Sequence, residues 1–223
     1  TIIDTGSGGG AVTFEGAVDG NDTTVNDGVT VISGSGAVTF TGAVGGTHEL
    51  DELLVNQQGD TGVGAGAITF SAAIGATGQT GVVGTTAIGN ANTTKITFSN
   101  GTLKFTGATT FRASDSVDSD DANIEIAAAT TIATTQGSFT VTGSKLDLDE
   151  GANLTVNSGG GAIVISGIEG NDDETVTITA NGTGAKTVSI GAIGDSDHSM
   201  IHTVEITGDG GITLTGDIRT AHD

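Results

Sequence analysis

Carboxylates are the side chains in this sequence whose numbers and spacing could do chemistry. The chain has 27 Asp and Glu residues against 6 Lys and Arg, and it contains no Cys. Carboxylate and loop carbonyl oxygens are the ligands that Ca²⁺ prefers in proteins. The acidic residues gather in five short clusters, which are Asp19/Asp22/Asp27, Asp115/Asp118/Asp120/Asp121, Asp147/Asp149/Glu150, Asp172/Asp173/Glu174 and Asp195/Asp197.

Two of these clusters are the strongest candidates for a calcium site, and Ca²⁺ is the only cofactor that the sequence suggests. Neither has the DxDxDG spacing of an EF-hand loop. The alternative interpretation is a set of solvated acidic loops on an acidic protein. The candidate ligands are Asp118, Asp120, Asp121, Asp172, Asp173 and Glu174.

No catalytic centre is predicted. The four histidines (His48, His198, His202 and His222) have no Ser/Asp partners or metal-ligand spacing around them. Enzymes that cleave polysaccharides use paired carboxylates, and their sugar grooves usually add aromatic platforms, whereas this chain has no Trp and no Tyr. We therefore expect a protein that is not an enzyme.

Short apolar-polar-apolar triplets recur along the chain and would form the elements that position these clusters. They begin at positions 12, 38, 68, 96, 124, 163, 188 and 212. Apart from one wider interval, between positions 124 and 163, a period of this length built from short strands and glycine corners is typical of a solenoid. The sequence therefore predicts an all-β fold, a parallel β-helix with about 24–30 residues per turn.

Alternation within each triplet predicts which side chains enter the core. The first and third residues share one face of a strand, and the middle residue points the other way. Stacked turns would place Phe14, Phe40, Phe70 and Phe98 in one internal column, continued by Ile126, Ile165, Ile190 and Leu214. The matching outward row would be Thr13, Thr39, Thr69 and Thr97.

For two segments, the sequence is compatible with more than one local structure. The wide interval between the triplets at 124 and 163 indicates either a turn hidden around residues 139–141 or an inserted loop. Asn100-Gly101, between two alternating runs, is either the turn of a hairpin or a corner of the solenoid. We expect one solenoid domain over residues 1–223, with clean repeats at 6–112, divergent turns at 113–158 and recovered repeats at 159–223. Tandem β-sandwiches are the alternative fold, but they usually have units of about 100 residues, and the repeats in this sequence are much shorter.

The net charge of the chain limits the kinds of partner that it could bind. The formal charge is −21, and phosphate-binding surfaces are basic, so we expect no nucleic-acid partner. The sequence contains no run of 18 apolar residues, so it predicts no membrane-spanning helix. Because residue 1 is Thr, we expect a processed or excised piece of a longer chain.

Units such as GAVTFTGAVGGT and the closing GGITLTGDI resemble the β-strand-repeat exoproteins of bacteria. These are secreted adhesins of the filamentous-haemagglutinin type and related surface-fibre and surface-layer proteins. The resemblance covers most of the chain, and it implies a right-handed parallel β-helix that is extracellular or at the cell surface. It carries no catalytic motif.

Together these observations predict a structural rod segment of a bacterial fibre, filament or adhesin. Copies would stack head-to-tail at the open ends of the β-helix, because unpaired strand edges invite pairing. The alternative is an adhesin module that recognises a surface glycan or another host ligand through its acidic loops, such as residues 113–123.

Overall fold

The computed structural model describes residues 1–6, 8–21, 27–57, 66–114, 123–182, 186–194 and 200–221. These residues form 20 β-strands and no helix, so no helix among them is long and apolar enough to span a membrane. The strands are β1 (Ile2–Asp4), β2 (Val12–Phe14), β3 (Gly28–Ile32), β4 (Val38–Phe40), β5 (Glu52–Val55), β6 (Ile68–Phe70), β7 (Thr86–Ile88), β8 (Ile96–Phe98), β9 (Thr102–Phe105), β10 (Thr109–Arg112), β11 (Ile124–Ile126), β12 (Thr130–Thr134), β13 (Phe139–Thr142), β14 (Leu146–Leu148), β15 (Leu154–Ser158), β16 (Ile163–Glu169), β17 (Thr175–Ala180), β18 (Thr187–Ile193), β19 (Thr203–Gly208) and β20 (Gly211–Leu214).

Every pairing between these strands is parallel, and the strands form a β-solenoid of about seven turns. The prediction of a parallel β-helix is therefore confirmed, while its right-handed sense stays a prediction. Each turn visits three faces in the same order. Face 1 contains β2, β4, β6, β8, β11, β14 and the ends of β16 and β18. Face 2 contains β9, β12, β15, β17 and β19. Face 3 contains β1, β3, β5, β7, β10, β13, β20 and the first residues of β16 and of β18.

Face 2 is irregular at its beginning. In the first turns it consists of single parallel bridges that join Val18 to Val44, Val44 to Ile74 and Ile74 to Leu103. From β9 onward it is a five-stranded sheet. The inward positions nevertheless continue through both parts, because Leu103 pairs with Ile132 and Ile132 with Val156.

The internal phenylalanine column is confirmed at face 1. Phe14, Phe40, Phe70 and Phe98 are paired in register in successive turns. Their ring centroids lie 4.6, 4.6 and 5.3 Å apart, with the rings nearly parallel. The outward row of Thr13, Thr39, Thr69 and Thr97 is confirmed by the same register.

The predicted continuation of this column is right for one residue and wrong for three. Phe98 pairs with Ile126, as expected, and Ile126 then pairs with Leu148. The other three predicted members lie in a different column, on face 3. That column runs through Val31, Val55, Ile88, Phe111, Val141, Ile165, Ile190 and Leu214.

The wide interval before the triplet at 163 has its origin in this change of face. That triplet belongs to face 3, and the face-1 strand that precedes it is β14. A turn does pass through positions 139–141, as β13. On face 1 the equivalent residues in successive turns are Val12, Val38, Ile68, Ile96, Ile124, Leu146 and Ile168. The two turns that begin at Ile124 and Leu146 are thus shorter than the predicted range.

Asn100-Gly101 is a corner of the solenoid. The strand before it, β8, pairs on face 1, and the strand after it, β9, pairs on face 2. The hairpin alternative is therefore wrong. A hairpin would leave the apolar residues of both strands on one two-stranded ribbon, whereas the corner directs Phe98 and Leu103 into the same core, where both are fully buried.

Polar side chains follow the corner between faces 3 and 1 and satisfy its backbone. Buried Asn56 has a left-handed backbone, with φ of 46°. Its Oδ1 accepts the Ser33 N–H at 2.9 Å and its amide donates to the Ser33 Oγ at 2.9 Å. Further along, the Asn123 amide donates to the Ser114 carbonyl at 2.8 Å, and the Asn123 N–H donates to the Ser144 Oγ at 2.7 Å. The contacts of Ser33 with Asn56 and of Asn123 with Ser144 join successive turns where the strands end, and the contact of Asn123 with Ser114 lies within one corner.

Candidate functional site

The two predicted calcium loops have different outcomes. Asp118, Asp120 and Asp121 lie outside the described residues. Asp172, Asp173 and Glu174 lie at the corner between faces 1 and 2, between β16 and β17. We call the second group the acidic corner.

Glu174 is the structural centre of the acidic corner. Its side chain is fully buried, with 0% exposed. One carboxylate oxygen accepts the Asn171 N–H at 2.6 Å, and the other accepts the Gly151 N–H of the preceding turn at 3.1 Å. The Glu174 carbonyl accepts the N–H groups of His202 and Thr203, at 2.9 and 3.2 Å, from the following turn. This single residue therefore connects three successive turns.

Asp173 and Glu174 share a hydrogen bond between their carboxyl groups. Burial and this hydrogen bond raise the pKa of Glu174. The same hydrogen bond, together with the Gly151 N–H, lowers the pKa of the exposed Asp173 carboxyl. The shared hydrogen bond thus favours the proton on the buried Glu174 carboxyl over the exposed Asp173 carboxyl.

The acidic corner has a structural explanation that does not involve a cation. Both Glu174 oxygens already accept backbone N–H groups, and within the described ranges no group of three or more His, Asp or Glu side chains could hold a metal ion. Asp172 is exposed and has a left-handed backbone, with φ of 82°. Calcium binding at either loop stays a prediction.

A second acidic feature crosses face 1 and was not predicted from the sequence. The outward threonine row continues in register as Glu125, Asp147 and Glu169. Lys95 Nζ lies 2.9 Å from Glu125 Oε2, and Lys145 forms an ion pair with the buried Glu169. We call these five residues the charged row. In the sequence, the row is visible only as the acidic middle residue of the triplets Ile-Glu-Ile and Leu-Asp-Leu. These residues can be assigned to one row only when the register of the strands is known.

Charges within and beside the charged row shift two pKa values in opposite directions. Burial acts to raise the pKa of Glu125, but hydrogen bonds from Lys95 and Thr97 and the charge of Lys95 outweigh it, so the pKa is lowered. The Thr97 hydroxyl donates to the Glu125 Oε2 at 2.9 Å. Burial and the neighbouring Glu125 raise the pKa of Asp149. In the charged row, two of the three carboxylates therefore form ion pairs with lysines, and the row follows the solenoid axis.

The histidines that the structure describes lie apart from one another. His48 is half-buried at a corner, and His202 is exposed immediately before β19. The other two, His198 and His222, lie outside the described residues. The prediction that these residues have no catalytic role stays untested.

At the two ends of the described coil, apolar side chains at inward positions are partly exposed to solvent. Val188, Ile190 and Ile193 are fully buried, but the residues stacked on them in the last turn, Ile212, Leu214 and Ile218, are 45%, 42% and 41% exposed. At the other end Val12 and Phe14 are half-buried, whereas their partners Val38 and Phe40 are fully buried. Each end thus presents apolar side chains beside an unpaired strand edge.

No family model, no curated protein and no solved structure matches this chain. Its function is therefore inferred from its own residues.

Proposed function

We propose that this chain is a rod segment of an extracellular or cell-surface fibre, filament or adhesin, and that it assembles by stacking of its solenoid ends. The observation that supports this proposal is the continuity of the inward columns. The same apolar positions repeat through every turn and remain open at both ends, as Leu214 and Phe14 illustrate. A solenoid buries each turn only against its neighbours, so its terminal turns need a cap or another unit.

The side faces favour a rod that stays separate from its neighbours. Large exposed apolar residues are few outside the two ends in the described part of the chain, with Val164 on face 3 as the exception at 39% exposed. Protein interfaces concentrate their binding energy in Trp, Tyr and Arg anchors, and the chain has no Trp and no Tyr. A charge of −21 repels parallel copies. Association at the ends is therefore favoured over association through the sides.

Negative-stain electron microscopy of the purified chain tests the proposal, with Ca²⁺ and with a chelator. We expect thin filaments of uniform width that lengthen with protein concentration. Loss of the filaments in chelator would locate the predicted Ca²⁺ at the contacts between copies. Isolated particles at every concentration, in both conditions, would contradict assembly by the ends.

A double variant provides the matched control. Ile212→Asp with Leu214→Asp places two charges at the open C-terminal end and leaves all other turns unchanged. We expect this variant to keep the circular dichroism spectrum of the parent chain and to form no filaments. Filaments of unchanged length would show that the C-terminal end is not the contact.

A further inference from the structure

The edges at the two ends of the coil match each other face by face. We infer that a second copy of this chain stacks its β1 on β20 and its β2 on residues 216–220, with face 3 on face 3 and face 1 on face 1. This inference rests on the proposed function and specifies its contact. It extends the interface that already joins successive turns, in which every strand pairing is parallel and in register.

On face 3 the contact is defined by two rows. The inward row ends at Leu214 in the last turn and begins at Ile3 in the first. The outward row begins at Ile2 and continues through every turn to Thr213. Stacking in the register of the coil therefore places Thr213 of one copy beside Ile2 of the next copy, and Leu214 beside Ile3.

On face 1 the contact joins opposite charges. Ile218 bridges to Ile193, which pairs with Ile168, so Ile218 occupies the position that Val12 occupies in the first turn. Arg219 is then the outward neighbour that stacks on Thr13 of the next copy, with Glu15 two residues further along the same strand edge. Stacking in this register therefore brings the opposite charges of Arg219 and Glu15 to the same side of the joint.

The alternative rotations of the second copy would interrupt the columns. Turning it by one face places β1 on face 2 or face 1, where the inward residues no longer stack on their equivalents. With the faces aligned, face 3 contributes nine strands per copy, and a strand spacing of about 4.8 Å gives an axial repeat of about 43 Å. This repeat is a measurable property of the filament.

Engineered cysteines test the register directly, because the natural chain has no Cys to interfere. The test variant carries Ile2→Cys with Thr213→Cys. Neighbouring strands are about 4.8 Å apart, within the range of about 4.4–6.8 Å between the Cα atoms of a disulfide. The control variant carries Ile2→Cys with Thr207→Cys, which places the second thiol on the exposed outward side of β19, on face 2. Each is oxidised, or treated with a short bis-maleimide, and separated on a non-reducing gel.

We expect covalent trimers and longer products from the test variant and none from the control. A ladder from the control alone would overturn the register and establish a rotated stack. Filaments in the microscope without a ladder from either variant would overturn the register and leave the proposed function in place. The absence of both filaments and ladders would contradict the register and the proposed assembly together.

Discussion

The aromatic column is the clearest feature at the scale of single residues. Phe40, Phe70 and Phe98 are among the largest side chains that the chain buries completely. Each ring stacks on the ring of the next turn at 4.6 to 5.3 Å. Aromatic pairs at such distances stabilise beyond the area that they bury. The column therefore stabilises the contacts between the first four strands of face 1.

Phe70→Ala is expected to lower the free energy of unfolding by about 3–5 kcal/mol, because it leaves a cavity between two rings. Phe14→Ala is the matched control, since Phe14 is half-buried and stacks on one ring only. Chemical denaturation measures both variants. Equal losses for the two positions would contradict the role of the stack.

The raised pKa of Glu174 predicts how the stability of the folded chain depends on pH. Since its pKa is raised in the folded chain, folding favours the neutral carboxyl. The stabilisation from this residue is complete below its unfolded pKa and is lost as the pH rises through its folded pKa. Asp173 has the opposite sign, because its pKa is lowered, and its contribution is lost as the pH falls.

Glu174→Gln keeps a neutral donor toward Asp173 at every pH. As the pH rises above the ordinary range of a glutamate carboxyl, we expect the melting temperature of this variant to increase relative to that of the parent chain. The reason is that the parent ionises at this position more readily when unfolded than when folded, whereas the variant does not ionise there. Thermal melts of both chains at several pH values measure the difference. A constant difference as the pH rises would show that the pKa of Glu174 is the same in the folded and the unfolded chain.

At the scale of elements, corners decide where a turn can change its length. The turn from Val38 to Ile68 is longer than the turn from Leu146 to Ile168, yet the strands on either side of each corner stay in register. The corner between faces 2 and 3 brings glycine backbones close together. A Cβ at Gly137 would lie 2.0 Å from the carbonyl carbon of Gly107.

Gly137→Ala is therefore expected to destabilise the chain by about 1–3 kcal/mol, the usual cost of overpacking. Gly16→Ala is the control, because a Cβ at Gly16 meets no atom within 4 Å and its backbone does not require glycine. We expect the control to stay within about 0.5 kcal/mol of the parent chain. Comparable denaturation midpoints for the two variants would show that the corner relaxes around a methyl group.

At the scale of the whole molecule, charge and end contacts act against each other. Each copy carries a charge of −21, whereas an exposed ion pair, such as one between Arg219 and Glu15 at the joint, contributes at most about 1 kcal/mol. Repulsion between whole copies therefore dominates when salt is low.

We expect added salt to promote assembly. Raising the ionic strength from about 10 mM to about 150 mM shortens the screening length from about 30 Å to about 8 Å. The apolar contacts at the joint do not depend on this screening. Sedimentation velocity should therefore show larger species at the higher salt concentration. A shift toward monomers on adding salt would show that ion pairs, rather than apolar columns, hold the joint.

The sequence by itself determined the class of fold and the local direction of the side chains. Alternation in Val-Thr-Phe settled that Phe40 points inward and Thr39 outward, because a strand has a period of two residues. The regular return of such triplets, separated by glycine corners, predicted the solenoid. Side-chain direction depends on a few neighbouring residues, so a single copy of the repeat is enough to read it.

Only the tertiary structure decided which triplets share a face. Ile124–Ile126 and Ile163–Ile165 look alike as sequences but belong to face 1 and face 3. Triplets on all three faces obey the same alternation, and corners of variable length remove the spacing that would tell the faces apart. The acidic corner and the charged row follow from the same cause, because they bring together residues from successive turns, such as Gly151 with Glu174 and Lys95 with Glu125.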